Sequence, residues 1–112
     1  MTDLFYRRRI VLIGLCLAGA IAAVYWPVQH FQFTNYDDNS YVTENPYMQG
    51  GVTLRGIVWA FTSPHISNWM PLTGLSCMLD CQLFGLNAGA HHWVNVLFHV
   101  ANALLLFIVL RR

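Results

Sequence analysis

The chain has 112 residues, of which 56% are hydrophobic and 10% charged, and its formal net charge is +1. So few charges exclude an ordinary water-soluble domain, and the absence of a basic patch in the sequence excludes nucleic acid as a partner. The apolar residues lie mainly in two uncharged stretches near the ends. This pattern predicts an all-α integral membrane protein with two transmembrane helices joined by a non-cytoplasmic loop.

Residues 10–26 (IVLIGLCLAGAIAAVYW) are the predicted first transmembrane helix, after a cytoplasmic basic N-terminus of residues 1–9. Their number is close to the roughly 17–25 residues that cross a bilayer core as a helix. A cleaved signal peptide is the alternative, with a small-residue cleavage site between Ala18 and Ala22. The apolar run continues to Trp26, which is longer than the usual signal peptide and favours an uncleaved anchor.

Residues 27–92 form the predicted periplasmic or lumenal loop, and its most informative feature is the adjacent pair Asp37 and Asp38. Neighbouring carboxylates repel each other, so water, a cation, a metal ion or a substrate hydroxyl must stabilise them. A solvated turn is the other interpretation, because turns favour Asp. We expect the pair to be catalytic, since it lies beside aromatic residues just beyond the first span.

Two short interfacial helices are expected later in the same loop. Residues 53–61 have helical spacing of apolar side chains, and a second helix is expected with Asn68 as its cap, Pro71 in its first turn and Gly85 at its end. An apolar stripe on the second helix predicts contact with the membrane or with neighbouring helices; its members are Leu72, Leu75, Leu79, Leu83 and Leu86. Asp80 lies opposite this stripe, so we expect it on the exposed face.

Residues 93–110 (WVNVLFHVANALLLFIVL) are the predicted second transmembrane helix, and residues 111–112 are the cytoplasmic end. Five of the six arginines flank the outer ends of the two spans, so the positive-inside rule places both termini in the cytoplasm. One face of this helix is polar, and its members are His92, Asn95, His99 and Asn102. Polar side chains are costly in lipid, so we expect this face to pack against further transmembrane helices or a partner membrane protein.

The loop also supplies groups that suit a reaction at the membrane surface. A carboxylate there could accept the proton of a hydroxyl as its oxygen attacks the anomeric carbon of a sugar carried on a polyprenyl phosphate. A cation or imidazolium would stabilise the departing phosphate, and the substrate-binding candidates are Arg55, His91 and His92. His65 belongs to the same inventory. From spacing alone the acidic pair is a weak signal.

Several strings in the chain together resemble one known family. They are residues 33–38 (FTNYDD), 59–62 (WAFT), 71–73 (PLT), 82–86 (QLFGL), 91–99 (HHWVNVLFH) and 102–107 (NALLLF). This combination is similar to the N-terminal part of the transmembrane and tetratricopeptide-repeat O-mannosyltransferase-like proteins, of the GT-C glycosyltransferase superfamily. The chain departs from that pattern at Met70, Gly74 and Cys77, where histidine, tryptophan and histidine are usual.

The resemblance implies a fragment of a polytopic GT-C fold, located in a bacterial inner membrane or an endoplasmic reticulum membrane. It implies transfer of a mannose-like sugar from a polyprenyl- or dolichyl-phosphate donor to a protein hydroxyl. By position, Asp37 and Asp38 match the acidic motif of the active site, with Asp37 preferred as the base; in a metal-dependent member they would bind a divalent metal instead. No other cofactor is implied.

The later spans and repeats of the family are absent, so we expect this segment to be inactive alone. The alternative is a small two-span interaction or assembly subunit without catalysis, which docks through the polar face of the second span.

Overall fold

The computed structural model describes residues 2–64 and 68–111 of the chain. This part is mostly helical and contains no β-strand, and two of its helices are long and apolar enough to span a membrane. The fold divides into two compact units, which we call the spanning unit (residues 1–29 and 92–112) and the loop unit (residues 30–91). His65 and Arg112, which entered the sequence predictions, lie outside the described residues.

The first long helix, α1, covers Thr2–Tyr25 and continues into a 3-10 turn at Trp26–His30. It begins eight residues before the apolar run, so the arginines of the basic N-terminus belong to its first turns. At about 1.5 Å per residue, a helix of 24 residues is about 36 Å long, enough to cross the hydrocarbon core. The change of helix type coincides with Pro27, which lacks the amide that an α-helix would need there.

The second long helix, α5, covers Ala88–Leu110 and runs antiparallel to α1 within the spanning unit. Their shared end is marked by an edge-to-face contact between Trp26 and Trp93, with ring centroids 5.7 Å apart. Arg7 and Arg111 line one cavity at the opposite end. The ends of the hairpin that carry the described flanking arginines therefore lie together.

In its described residues before α5, the loop unit contains three α-helices and one π-helical turn, which covers Asn39–Thr43. The short α2 covers Pro46–Gln49, α3 covers Leu54–Thr62 and α4 covers Pro71–Phe84. Asn45 caps α2 by accepting hydrogen bonds from the amides of residues 47 and 48, and Thr53 caps α3 by accepting one from the amide of Gly56. These caps explain where α2 and α3 begin.

The predicted boundaries of α4 are confirmed at Pro71 and Gly85 and wrong at Asn68. Met70 occupies the cap position and makes no side-chain cap bond. The residue before a proline avoids helical backbone angles, so a helix with Pro71 in its first position cannot begin earlier. Gly85 ends the helix with a positive φ of 60°, a conformation that glycine adopts without steric cost.

The core of the loop unit forms where α2, α3 and α4 meet. Its buried residues are Val42, Met48, Ala60, Met78 and Cys81. A Cβ added to Gly56 would lie 3.0 Å from Sδ of Met78, so the absence of a side chain there lets α3 approach α4. Gly51, at φ 74°, brings the Val52 amide to Oε1 of Gln82, to which it donates a hydrogen bond of 3.1 Å. These two glycines therefore allow α3 and the segment before it to pack closely against α4.

Candidate functional site

The acidic pair belongs to a short loop, residues 33–38, which we call the acidic loop. Its two carboxylates have different surroundings. Oδ2 of Asp38 accepts hydrogen bonds from the amide of Thr34 at 2.7 Å and from its hydroxyl at 3.1 Å. Local hydrogen bonds of this kind satisfy backbone N–H groups that lie outside helices and sheets. The carboxylate of Asp38 therefore closes the loop on itself.

The carboxylate of Asp37 is exposed and accepts no hydrogen bond from the described residues. Its backbone is fixed, because its carbonyl oxygen accepts a bond of 3.0 Å from the amide of Tyr41. A second local bond, 2.6 Å long, joins Nδ2 of Asn39 to Oδ1 of Asn35. The loop thus presents the carboxylate of Asp37 to solvent. The carboxylate of Asp38 helps to fix the backbone that carries it.

Beneath the acidic loop, Phe33 packs against the core of the loop unit and meets the ring of His91 edge to face. The ring centroids are 5.3 Å apart and the ring planes are 79° apart. Such T-shaped pairs are favoured by the aromatic quadrupole. The residue that begins the acidic loop is therefore in contact with the first turn of α5.

His91 is 5% exposed, and both of its ring nitrogens face polar groups. Nε2 donates a hydrogen bond of 2.8 Å to the carbonyl oxygen of Gly85, and Nδ1 lies 4.0 Å from Oδ2 of Asp80. A carbonyl oxygen only accepts, so the proton of Nε2 is fixed by its partner. His91, a predicted substrate-binding residue, contacts the end of α4, and its proposed role stays a prediction.

The expectation that Asp80 is exposed is wrong, because it is only 7% exposed. Most of the leucine stripe remains uncovered, with Leu72 75% exposed, whereas Leu75 packs against the core. The opposite face of α4 carries Met78 and Cys81, which are apolar enough to form the core, and Asp80 is buried beside them. Periodicity identified both faces of the helix, but it did not show that the face with Asp80 is covered within the protein, and contact of the leucine stripe with a membrane stays a prediction.

Burial changes the acidity of three groups on α4. It raises the pKa of Asp80 above its ordinary value, and the nearby His91 offsets part of that increase. It also raises the pKa of the Cys77 thiol from 9.0 to about 11, with smaller contributions from the charges of Asp80, Cys81 and Asp38. The pKa of Cys81 is raised for the same reasons, burial first and Asp80 second. Both thiols are therefore poor nucleophiles.

Arg55, the predicted phosphate-binding cation, extends over an aromatic stack. Its guanidinium carbon lies 5.3 Å from the centroid of the Tyr47 ring, which stacks on Trp59 at 4.6 Å with an interplanar angle of 6°. Both faces of Tyr47 are thus occupied, which leaves no free face for a sugar ring. Arg55 and Tyr47 border an open cavity of about 270 Å³. Among residues 2–64 and 68–111, no ion pair joins Arg55 to Asp37 or Asp38.

The polar face of α5 lies in the spanning unit. His92, Asn95 and His99 line a cavity of about 240 Å³, together with Tyr25 and Val28 from the end of α1. The His99 ring meets that of Tyr25 edge to face at 5.6 Å. Asn102, the last member of the face, is exposed. One neighbouring helix therefore leaves much of this polar face uncovered.

The acidic loop offers a divalent metal two carboxylates, one of which is already hydrogen-bonded. Oδ2 of Asp38 already accepts two hydrogen bonds, and within the described part of the chain no three His, Cys, Asp or Glu side chains converge on one point. Oxygen-binding divalent ions take six or more ligands. We therefore assign no chemical step to a metal.

The loop unit thus contains Asp37, Asp38, Arg55 and His91, whereas His92, Asn95, His99 and Asn102 belong to the spanning unit. The pairing of Asp80 with His91 was not predicted, because the two residues are eleven positions apart in sequence and belong to different helices. No protein-family model, curated protein or solved structure matches the chain. The likeness to O-mannosyltransferase-like proteins therefore rests on its residues alone.

Proposed function

We propose that this chain is part of a membrane glycosyltransferase that takes a mannose-like sugar from a polyprenyl-phosphate donor and transfers it to a protein hydroxyl. The observation that carries the proposal is the exposed carboxylate of Asp37, which accepts no hydrogen bond from the described residues and is held on a backbone that Asp38 and Tyr41 fix. A general base needs an accessible lone pair in a defined position, and this arrangement supplies both. The resemblance of the acidic motif gives the class of substrate.

In the proposed reaction, Asp37 accepts the proton of the acceptor hydroxyl while its oxygen forms a bond to the anomeric carbon. The bond from that carbon to the donor phosphate breaks, and the phosphate leaves with the electron pair. Asp38 acts by holding the backbone, since its Oδ2 is used by Thr34. Arg55 is exposed and lies in the same unit, so it is the proposed cation for the phosphate.

The two long apolar helices support a location in a membrane, where a lipid-linked donor is found. The exposed leucine stripe of α4 supports an interfacial position for the loop unit. We propose the periplasmic or lumenal side for this unit, because it joins the two spans in sequence and the described flanking arginines lie at the other ends of those spans.

The test is transfer of labelled mannose from polyprenyl-phosphate mannose to serine- and threonine-containing peptides. The enzyme source is membranes from cells that express the complete open reading frame containing this chain. We expect Asp37→Asn to reduce kcat by about 10²–10⁴-fold, the usual contribution of a general base. Asp38→Asn should lose less than about tenfold, because an amide oxygen still accepts from Thr34.

Glu44→Gln is the matched control, since Glu44 is an exposed acid just beyond the same segment. It should keep full activity, and helicity by circular dichroism should be equal in all variants. Full activity of Asp37→Asn in the presence of an active parent would remove the proposed base. Absence of transfer by the parent would argue against the function itself.

The second candidate function is an assembly subunit, favoured by the partly uncovered cavity on the polar face of α5. A partner transmembrane helix with a hydrogen-bonding side chain would fit it. A photo-crosslinker in place of Asn95 should then yield one membrane protein by mass spectrometry, and one in place of Leu105, which is exposed on the apolar part of α5, should yield lipid only. Equal products from both positions would exclude this role.

A further inference from the structure

The most unusual feature outside the proposed chemistry is the buried pair of Asp80 and His91. An acid is rarely buried unless it is paired, and this one has no part in the proposed reaction. It lies where α4 ends and α5 begins, next to the aromatic residue that starts the acidic loop. Its position suggests a link between the protonation of the pair and the conformation of that loop.

The geometry fixes where a proton can lie. Nε2 of His91 must carry hydrogen, because it faces the carbonyl oxygen of Gly85 at 2.8 Å. The remaining nitrogen, Nδ1, and Oδ2 of Asp80 are 4.0 Å apart. With a proton on Asp80, a carboxyl group faces the lone pair of Nδ1 and the contact is favourable. Without that proton, the lone pair faces a buried carboxylate, and the contact becomes unfavourable.

The ring of His91 also supports Phe33. Phe33 adjoins Thr34, whose amide and hydroxyl both donate to Oδ2 of Asp38. The backbone carbonyl oxygen of Asp37 accepts a hydrogen bond from the amide of Tyr41. A shift of the His91 ring therefore moves the support on which the acidic loop begins. No other described aromatic ring pairs with His91.

We infer that Asp80 and His91 are positioning residues that, through Phe33, hold the acidic loop in the conformation that presents Asp37, and that this hold depends on a proton on Asp80. The inference concerns how the loop is held and stands apart from the reaction proposed above. A lower pH favours the held loop, and a rise in pH toward neutrality releases it. The chain would thus present its exposed carboxylate in a way that depends on pH.

The sign follows from proton counting. In the held loop Asp80 keeps its proton to a higher pH than in the opened state, where its carboxyl is in water, because burial raises its pKa. Stability of the held loop is therefore greatest in acid and declines as pH rises above the ordinary carboxyl value of 3.8. Among the described residues, Cys77 and Cys81 are titratable groups close to Asp80, and their raised pKa values keep them neutral in this range.

The experiment is amide hydrogen exchange by NMR on the full chain, labelled with nitrogen-15, in detergent micelles between about pH 4.5 and 7.5. The reporter is the amide of Tyr41, which bonds to the carbonyl oxygen of Asp37. The reference is the amide of Met48, a fully buried residue whose amide bonds to Asn45. The ratio of their protection factors removes the intrinsic pH dependence of exchange and any global unfolding.

We expect this ratio to fall by at least about tenfold over the range, since release of one proton changes an equilibrium by up to tenfold per pH unit. Asp80→Asn keeps the shape of the side chain but cannot release the proton, so its ratio should not change with pH. Phe33→Leu should flatten the ratio as well, although the Asp80 carboxyl still titrates in carbon-13 spectra. Glu44→Gln, an exposed acid near the reporter, should behave like the parent.

A ratio that does not depend on pH in the parent chain would overturn the inference, whatever the variants do. An unchanged slope in Asp80→Asn would overturn it too, because the proton would then belong to another group. If Asp80→Asn does not fold, as loss of protection at Met48 would show, Phe33→Leu serves instead, because it breaks the contact between the pair and the loop while Asp80 still titrates. An unchanged slope in Phe33→Leu would overturn the inference.

Discussion

The close contact between α3 and α4 at Gly56 and Met78 gives the most direct test of how the loop unit is held together. Met78 is completely buried, and its replacement by alanine should reduce the free energy of unfolding by about 2–5 kcal/mol. Alanine at Gly56 gains about 1 kcal/mol of helix propensity. Its Cβ would lie 3.0 Å from Sδ and 3.3 Å from Cε of Met78, however. Overpacking of this kind costs about 1–3 kcal/mol, so Gly56→Ala should be neutral to destabilising.

The double variant decides between packing and propensity. Once Met78 is shortened, the added methyl group fills part of the space, so the combined loss should be about 1–3 kcal/mol smaller than the sum of the single losses. The assay is equilibrium unfolding in mixed micelles, followed by tryptophan fluorescence. Leu72→Ala, on the exposed face of α4, is the control and should change stability by less than about 0.5 kcal/mol. Additive losses, or a loss at Leu72 equal to that at Met78, would refute the assigned packing.

Three further outcomes follow from the loop unit. Gly51→Ala should destabilise more than Gly85→Ala in the same unfolding assay: both residues have positive φ, but only the Cβ at Gly51 would meet Gln82, at 3.1 Å. Equal losses would contradict the contact with Gln82. Alkylation of Cys77 near neutral pH should be about a hundredfold slower than that of a thiol with the ordinary pKa, because the pKa of Cys77 is about 11 instead of 9.0. Mass spectrometry measures the rate of labelling, and rapid labelling would disprove the burial. Asn45→Ala should lower stability by about 1 kcal/mol through loss of the cap of α2, measured by thermal unfolding, and an unchanged midpoint would show that the cap is dispensable.

The acidic loop shows how far the sequence could lead at the candidate site. Residue types identified Asp37 and Asp38 as a notable pair, but they could not distinguish the two carboxylates by their surroundings. Only the fold shows that Asp38 accepts both donors of Thr34 and that Asp37 is exposed. Local bonds of this kind depend on the backbone path, which residue spacing does not specify. The choice of Asp37 as the base stays a prediction.

Local signals determined the helices. Uninterrupted apolar runs gave the two long helices, and Pro71 and Gly85 gave the ends of α4, because these effects act within one or two turns of the chain. Tertiary structure alone decided which face of α4 is covered, since both faces are apolar and periodicity cannot rank them. It also brought Asp80 to His91 and Phe33 to the same ring, contacts that depend on how α2, α3 and α4 pack. The burial of Asp80 is therefore a property of the packing and not of its neighbours in sequence.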